Sequence, residues 1–475
     1  MHVVTAESAE RPNFLVILCD DLGYGDLGCY GHPVIKTPQL DKLAKEGVRL
    51  TACYSAAPVC SPARAGLLTG QIPNRLGIYD FLVPASSKAA KKHNRSFCHL
   101  RAGEPTISSL LKETGYATCL AGKWHLNTRF NKPQRQPTPG DAGFDHWFAT
   151  GNNASPLHKD PTNFVRNGEK VGKLTGFSCQ LVVDEALTWL KQQQTGSPDQ
   201  PFFLYVAFHE PHEPIASPGD LVAKYERKTN NHQQAEYFAN VENMDDATGR
   251  LIEALDEMGL RDNTMIVFTS DNGPETLGRY GPRSRRSYGT PGPLRGMKLW
   301  TTEAGFRVPG IVSWPGVVPA GKKTNAAVSS LDLLPTFCQL ANVRLPEGAT
   351  LDGVDCLPLV KGEVQQRDKP LLWCFYDALN ERRVAMRVGD WKVLARLADE
   401  NGNELPPVSN LAADNYEQYK NARLKDHQIF RVEHDLAEKH DLAKQNRSDY
   451  QRLKKLMEES YRELIADSHV WESPK

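Results

Sequence analysis

Four clusters of ionisable residues each follow a short apolar run. Asp20-Asp21 follows residues 14–18, and Gly122-Lys123-Trp124-His125 follows 116–120. His209-Glu210-Pro211-His212 follows 202–208, and Asp271-Asn272-Gly273 follows 265–269. The oxygen-bearing side chains of Asp20, Asp21, Asp271 and Asn272 suit a hard divalent cation such as Ca2+ or Mg2+, whereas softer metals would want sulfur or imidazole. Three carboxylates gathered in one place would repel one another without a cation. Taken singly, an Asp-Asp pair after a strand is more often a turn or a helix cap. His209 and His212 are not spaced like the i, i+4 pair of a helical zinc motif, and Pro211 breaks a helix.

A fifth segment is Cys60-Ser61-Pro62-Ala63-Arg64, followed by Ala-Gly-Leu-Leu-Thr-Gly. Pro62 fits the first turn of a helix, which puts Cys60 at the N-terminus, where free N–H groups and the dipole favour an anion. Arg64, four residues on, shares a helix face with Cys60. In isolation this pattern is more often a buried thiol at a helix start.

These groups must be positioned by the elements between them. Residues 38–46, with Thr37 as N-cap, read as a helix, as do 105–114, 178–193 and 234–258. Strands alternate with helices, so an α/β fold is expected: a large, mainly parallel mixed sheet sandwiched by helices. In such sheets sites form at the carboxyl ends of strands, so the clusters are expected to converge on one pocket. Beyond residue 361 the pattern changes to short strands at 370–376, 383–388 and 391–394, then a closing helix at 447–466. This gives a catalytic domain over 11–361 and a smaller C-terminal α+β subdomain over 362–475.

Lysine plus arginine and aspartate plus glutamate both number 57, so no global field favours nucleic acid. No apolar run reaches the ~18 residues of a membrane span. The ten cysteines include no C-x-x-C pair, which argues against a zinc or thioredoxin-like site; most are expected to be buried thiols.

The Cys60–Arg64 segment and the apolar-Thr-Gly stretch after it resemble the signature of the type I, formylglycine-dependent sulfatases of the alkaline phosphatase superfamily. Residues 13–26, Gly122-Lys123-Trp124-His125-Leu126, Pro211-His212, Ser270-Asp271-Asn272-Gly273, Leu294-Arg295-Gly296-Met297-Lys298 and 433–443 resemble that family's other motifs, in its order. The resemblance implies that a formylglycine-generating or anaerobic sulfatase-maturating enzyme oxidises Cys60. The hydrated aldehyde then attacks sulfur, and its second hydroxyl lets sulfate be expelled. It implies Cys60, Asp20, Asp21, Asp271 and Asn272 as the site of one cation, Ca2+ or else Mg2+. Arg64 would orient the diol, and Lys123 and Lys298 would bind sulfate oxygens. His212 or Lys298 would protonate the leaving alcohol, with His212 favoured, and His125 would take the second hydroxyl proton.

The chain is similar to bacterial glycan sulfatases and the N-acetylgalactosamine-sulfatase-like branch. An exo-acting enzyme on sulfated galactose or N-acetylgalactosamine is therefore expected. Arg279 and Arg285, with Arg283 and Arg286, lie in a Gly/Pro/Ser-rich loop suited to holding a sulfated sugar. Residues 88–95, Asn152, Asn153 and His158 are weaker candidates. The resemblance also implies export, to the periplasm, the cell exterior or a lysosome, although residues 1–10 carry no signal-peptide pattern. The competing readings are a phosphonate or phosphodiester hydrolase of the same fold and a non-catalytic glycan-binding protein with unconverted Cys60.

Overall fold

Every residue of β1 (Asn13–Asp20) is buried in the computed structural model, which describes residues 11–84, 98–134, 136–275 and 288–472. Phe14, Val16 and Leu18 enter one hydrophobic cluster and Leu15, Ile17 and Cys19 another, on opposite faces of the sheet. A strand covered on both faces must be apolar throughout, which is why the run is continuous rather than alternating.

β1 lies at the centre of a ten-stranded sheet. The other members are β2 (Val48–Leu50), β4 (Ala117–Lys123), β5 (His146–Thr150), β6 (Val165–Arg166), β7 (Glu169–Lys170), β8 (Phe202–Pro211), β9 (Thr264–Ser270), β11 (Gly310–Ser313) and β12 (Lys322–Thr324). Their order is β12-β2-β11-β9-β1-β8-β4-β5-β6-β7. The pairs from β9 through to β5 are parallel, while β11, β6 and β7 pair antiparallel with their neighbours, apart from the outer parallel pair β12/β2. The four strands that carry the polar clusters (β9, β1, β8 and β4) are therefore adjacent and point the same way. Helices Cys60–Thr69, Ile107–Glu113 and Leu333–Leu340 contribute side chains to one face. Helices Pro38–Glu46, Ser178–Gly196 and His232–Glu257 cover the other.

Thr37 is the N-cap of helix Pro38–Glu46, but its hydroxyl makes no capping bond. The free N–H groups of Gln39 and Leu40 donate instead to the carboxylate of Asp245, on helix His232–Glu257. A tertiary acceptor has replaced the local one.

A small sheet of β3 (Cys53–Tyr54), β10 (Arg307–Val308) and β13 (Val328–Ser329) links the main sheet to the C-terminal one. The latter is antiparallel: β14 (Leu371–Cys374), β15 (Val384–Val388), β16 (Trp391–Ala398) and β17 (Arg423–Arg431), closed by helix Arg447–Ala466. β17 (RLKDHQIFR) is a polar edge strand with no clean apolar pattern. Ala52, Tyr54, Phe306 and Ala327 share a hydrophobic cluster with Trp373, Leu394 and Phe430, so apolar packing is continuous across residue 361.

A buried charge cluster crosses the same junction. Lys392 Nζ lies 2.9 Å from Glu303 Oε1 and 3.7 Å from Glu438 Oε1, with all three side chains shielded from solvent. Glu303 also pairs with Arg307 and accepts from Tyr54, and the Glu303 N–H donates to Glu438. Removing one member leaves buried charge without its partner. Lys392→Met is therefore expected to cost about 3–5 kcal/mol, read as a lower denaturant midpoint in equilibrium unfolding.

Candidate active site

The register of the central strands brings the carboxylates together. Cys19 pairs with Ser270, and the Asp271 N–H donates to Cys19 O, so Asp20-Asp21 and Asp271-Asn272 leave the sheet side by side. Asp21 turns sharply with a left-handed φ of 66°, and its N–H donates to Asp271 Oδ1 at 3.2 Å. Ser270 Oγ fixes this turn by accepting from Leu22 N and donating to Asn272 O.

Three cations face the three carboxylates. Arg64, fully buried on helix Cys60–Thr69, donates from Nε to Asp271 Oδ2 at 2.9 Å and from Nη1 to Lys123 O at 3.0 Å. Its Nη2 lies 2.8 Å from Asp271 Oδ2 and 3.7 Å from Asp20 Oδ1. Lys123 Nζ donates to Asp20 Oδ2 at 2.6 Å and to Asn153 Oδ1 at 3.3 Å. Lys298 Nζ donates to both oxygens of Asp21 at 2.7 and 2.8 Å.

Burial works to raise all three acids. For Asp20 it is outweighed by Lys123, His212 and Arg64, which hold the carboxyl well below its usual range. Asp21 is likewise lowered, by Lys298 and His212. Asp271 is pushed up to about 7 by burial and by Asp20, against the pull of Arg64.

Two buried oxygens in this group, Asp20 Oδ1 and Asn272 Oδ1, have no hydrogen-bond partner. Asp20, Asp21 and His212 each offer a donor atom within 4.8 Å of the others. An unpaired carboxylate oxygen and an unpaired amide oxygen among clustered carboxylates fit a hard divalent cation.

Cys60 opens its helix beside this network. Burial pushes its thiol up, while Lys123 and Lys298 pull it down. The neighbouring Ser61 Oγ accepts from Leu82 N, and Leu82 O accepts from His125 Nε2 at 2.7 Å. His125 has a left-handed φ of 56°, and burial holds its imidazole well below the ordinary range. A carbonyl only accepts, so Nε2 carries the proton and the buried Nδ1, which has no partner, is free to accept one. His212 is oriented by Nδ1 donating to Glu213 O at 2.6 Å, with Nε2 at 3.6 Å from Asp21 Oδ2. Burial lowers it to about 4, although Asp21 favours the imidazolium.

Lys123 is aimed by the residue before it. Gly122 has φ +118°, and a Cβ there would lie 1.8 Å from Ala207 O on β8. Gly122→Ala is therefore expected to destabilise the protein by more than about 3 kcal/mol and to lower soluble yield and specific activity together.

The structure thus joins Asp20, Asp21, Arg64, Lys123, His212, Asp271, Asn272 and Lys298 in one network, with Cys60 and His125 at its edge. Asn153 enters through Lys123. His209 bonds to Thr150 and His158 lies against Glu210, both fully buried beneath the site. Arg279, Arg283, Arg285, Arg286 and residues 88–95 lie outside the described residues. Sequence reasoning missed the supports. Asp26 accepts from the N–H groups of Gly23 and Thr290, tying the two loops that flank the carboxylates. Arg295 donates to Glu438 O, anchoring the segment that carries Lys298. An acid five residues after Asp21 gave no signal of contact with residue 290.

Known proteins share this chain and its fold. The family model described as Sulfatase matches residues 12–343, and that described as N-sulphoglucosamine sulphohydrolase, C-terminal, matches 297–445. Human N-acetylgalactosamine-6-sulfatase is 35% identical, over 78% of this chain and 69% of its own length. Human arylsulfatase A is also 35% identical, over 74% and 68%. The solved structure of Ps i-CgsB in complex with k-i-k-neocarrahexaose superposes with a TM-score of 0.78 at 30% identity, covering 98% of this chain and 95% of the other. With the site's carboxylates, lysines and helix-opening cysteine in place, the chain belongs to the sulfatase family and is a sulfuric ester hydrolase.

Proposed function

We propose that the chain releases sulfate from a terminal galactose or N-acetylgalactosamine unit of a sulfated carbohydrate. In this reading Cys60 works as formylglycine, installed by a maturating enzyme, and Ca2+ is held by Asp20, Asp21, Asp271, Asn272 and residue 60. The observation that carries it is the charge balance of the site. Asp20, Asp21 and Asp271 are matched by Arg64, Lys123 and Lys298. A divalent cation therefore adds surplus positive charge in a buried place, which favours a sulfate ester. The N-acetylgalactosamine-6-sulfatase relatives and the neocarrahexaose complex support a sugar sulfate.

When bound, the cation supplies a Lewis acid and the modified side chain a hydrated-aldehyde nucleophile. The chain's own residues do the rest. Lys123 and Lys298 bind the nonbridging sulfate oxygens, and Arg64 fixes Asp271 against the helix that carries residue 60. His212, once charged as the imidazolium that Asp21 favours, passes its Nε2 proton to the departing alcohol oxygen, with Lys298 beside it. His125 Nδ1 takes the proton of the second hydroxyl as sulfate leaves. Residues 11–361 form the catalytic unit and 362–475 a C-terminal subdomain that anchors the Lys298 segment. Arg279 and Arg285 contact the sugar. The mature protein works outside the cytosol; no described helix is long and apolar enough to cross a membrane.

The test is sulfate release from defined monosulfated sugars, with phosphonate and phosphodiester esters alongside. Preference for galactose or N-acetylgalactosamine sulfates is expected. Release only from other sugars would refute the substrate assignment.

A further inference from the structure

The carboxylate of Glu210 is fully buried, two residues before His212, and no step of the proposed reaction uses it. Asp20, Asp21 and Asp271 each face a lysine or arginine, but among the described residues Glu210 has neither within ion-pair distance. A buried carboxylate without a cation is costly unless its oxygens are filled by donors. Here most of the donors come from a helix start. Glu210 Oε1 accepts from Ser178 Oγ and, at 3.0 Å, from Cys179 N, on the first two residues of helix Ser178–Gly196. Oε2 accepts from His209 N at 3.1 Å. Phe177, the N-cap of that helix, has no polar side chain to offer, so Glu210 caps it from a distant strand. The helix dipole favours negative charge at this end.

The same helix start holds the rest of the segment that carries His212. Ser178 N donates to His158 O at 2.7 Å, and His158 N donates to Pro214 O at 3.1 Å. The His158 ring lies 3.5 Å from Glu210 Oε1. His212 itself bonds within its own segment: its N–H donates to His209 O at 3.0 Å and its Nδ1 to Glu213 O. The direction of its Nε2 therefore follows wherever residues 209–213 lie, and Glu210 pins that segment to a helix of 19 residues. The acid type matters as well as the position. Both oxygens of Glu210 accept from backbone N–H groups, which cannot reverse. A glutamine would have to turn its NH2 toward one of them and leave a buried donor unpaired.

We propose that Glu210 is a positioning residue for His212: by clamping residues 209–213 onto the start of helix Ser178–Gly196, it holds Nε2 where it can protonate the leaving oxygen. The proposal rests on the reading of His212 as the proton donor and adds the group that aims it.

The test is leaving-group dependence in matured Glu210→Gln, measured on 4-nitrophenyl sulfate and on whichever defined monosulfated sugar the wild type turns over fastest. A nitrophenolate departs without a proton, whereas a sugar alkoxide needs one. A small misplacement of a reacting group costs about a hundredfold, so kcat on the sugar sulfate is expected to fall by about that factor, while its KM and the aryl sulfate kcat stay within about threefold. His212→Ala should show the same selectivity, with a loss on the sugar at least as large. Glu210→Gln/His212→Ala should be no worse than His212→Ala alone, because residues acting through one proton transfer are not additive. Ser178→Ala, which removes one donor to Glu210, should show the same selectivity at about fivefold, the usual effect of losing one hydrogen bond. It carries the test if Glu210→Gln does not fold. No loss, equal losses on the two substrates, or a double variant whose losses multiply would overturn the positioning role. If His212→Ala turned over the sugar sulfate as well as the wild type does, the proton-donor reading itself would fail instead.

Discussion

Replacement of Cys60 by serine is expected to lower sulfate release at least about ten-thousand-fold, in line with removal of a covalent nucleophile. The side chain is buried at the first position of its helix, and none of the ion pairs among Asp20, Asp21, Asp271, Arg64, Lys123 and Lys298 uses it. The variant should therefore fold with the rest of the site intact. A serine hydroxyl in the same place can still be sulfated, but it leaves an ordinary ester that water must attack in a crowded pocket. A sulfate adduct should accumulate and be visible by intact-mass spectrometry. The unmodified thiol is a poor substitute for the aldehyde, because burial raises it. Active wild-type protein should show the aldehyde in its residue-60 peptide; finding only thiol there would overturn the mechanism.

Chelation of divalent cations should have the second largest effect, a loss of at least about a thousandfold in turnover, restored by Ca2+ and less well by Mg2+. The protein should stay folded through this, because Lys123 and Lys298 already bond to Asp20 and Asp21 and Arg64 bonds to Asp271. Cation at a hundredfold excess over its Kd should stabilise the native state by about 2.7 kcal/mol. Thermal unfolding with and without chelator measures it. Full turnover in chelator would remove the cation from the mechanism, and a better recovery with Mg2+ would reverse the metal assignment.

The central strands were legible because burial on both faces demands largely apolar runs, and 14–18, 116–120, 202–208 and 265–269 are such runs, broken only by Thr118 and Thr269. The C-terminal strands β14 to β16 and the closing helix were legible for similar reasons. β17 was not, since its buried residues (Leu424, His427, Ile429 and Phe430) follow no regular period and are interrupted by charged ones. Thr37 was correctly placed as an N-cap, yet its capping bonds come from Asp245, more than two hundred residues away, which no local pattern can show. Asn153 looked like a minor loop residue until the β4/β5 pairing set it beside Lys123.

The sequence by itself determined the family and the chemical kinds of the residues that the structure gathers at the candidate site, because those depend on side-chain type and short spacing. Only the tertiary structure decided which lysine faces which carboxylate, that His125 has its Nδ1 lone pair free, and that Asp26 and Glu438 hold the loops that carry the site. Those facts arise from strand register, from left-handed turns at Asp21 and His125, and from contacts between segments far apart in the chain.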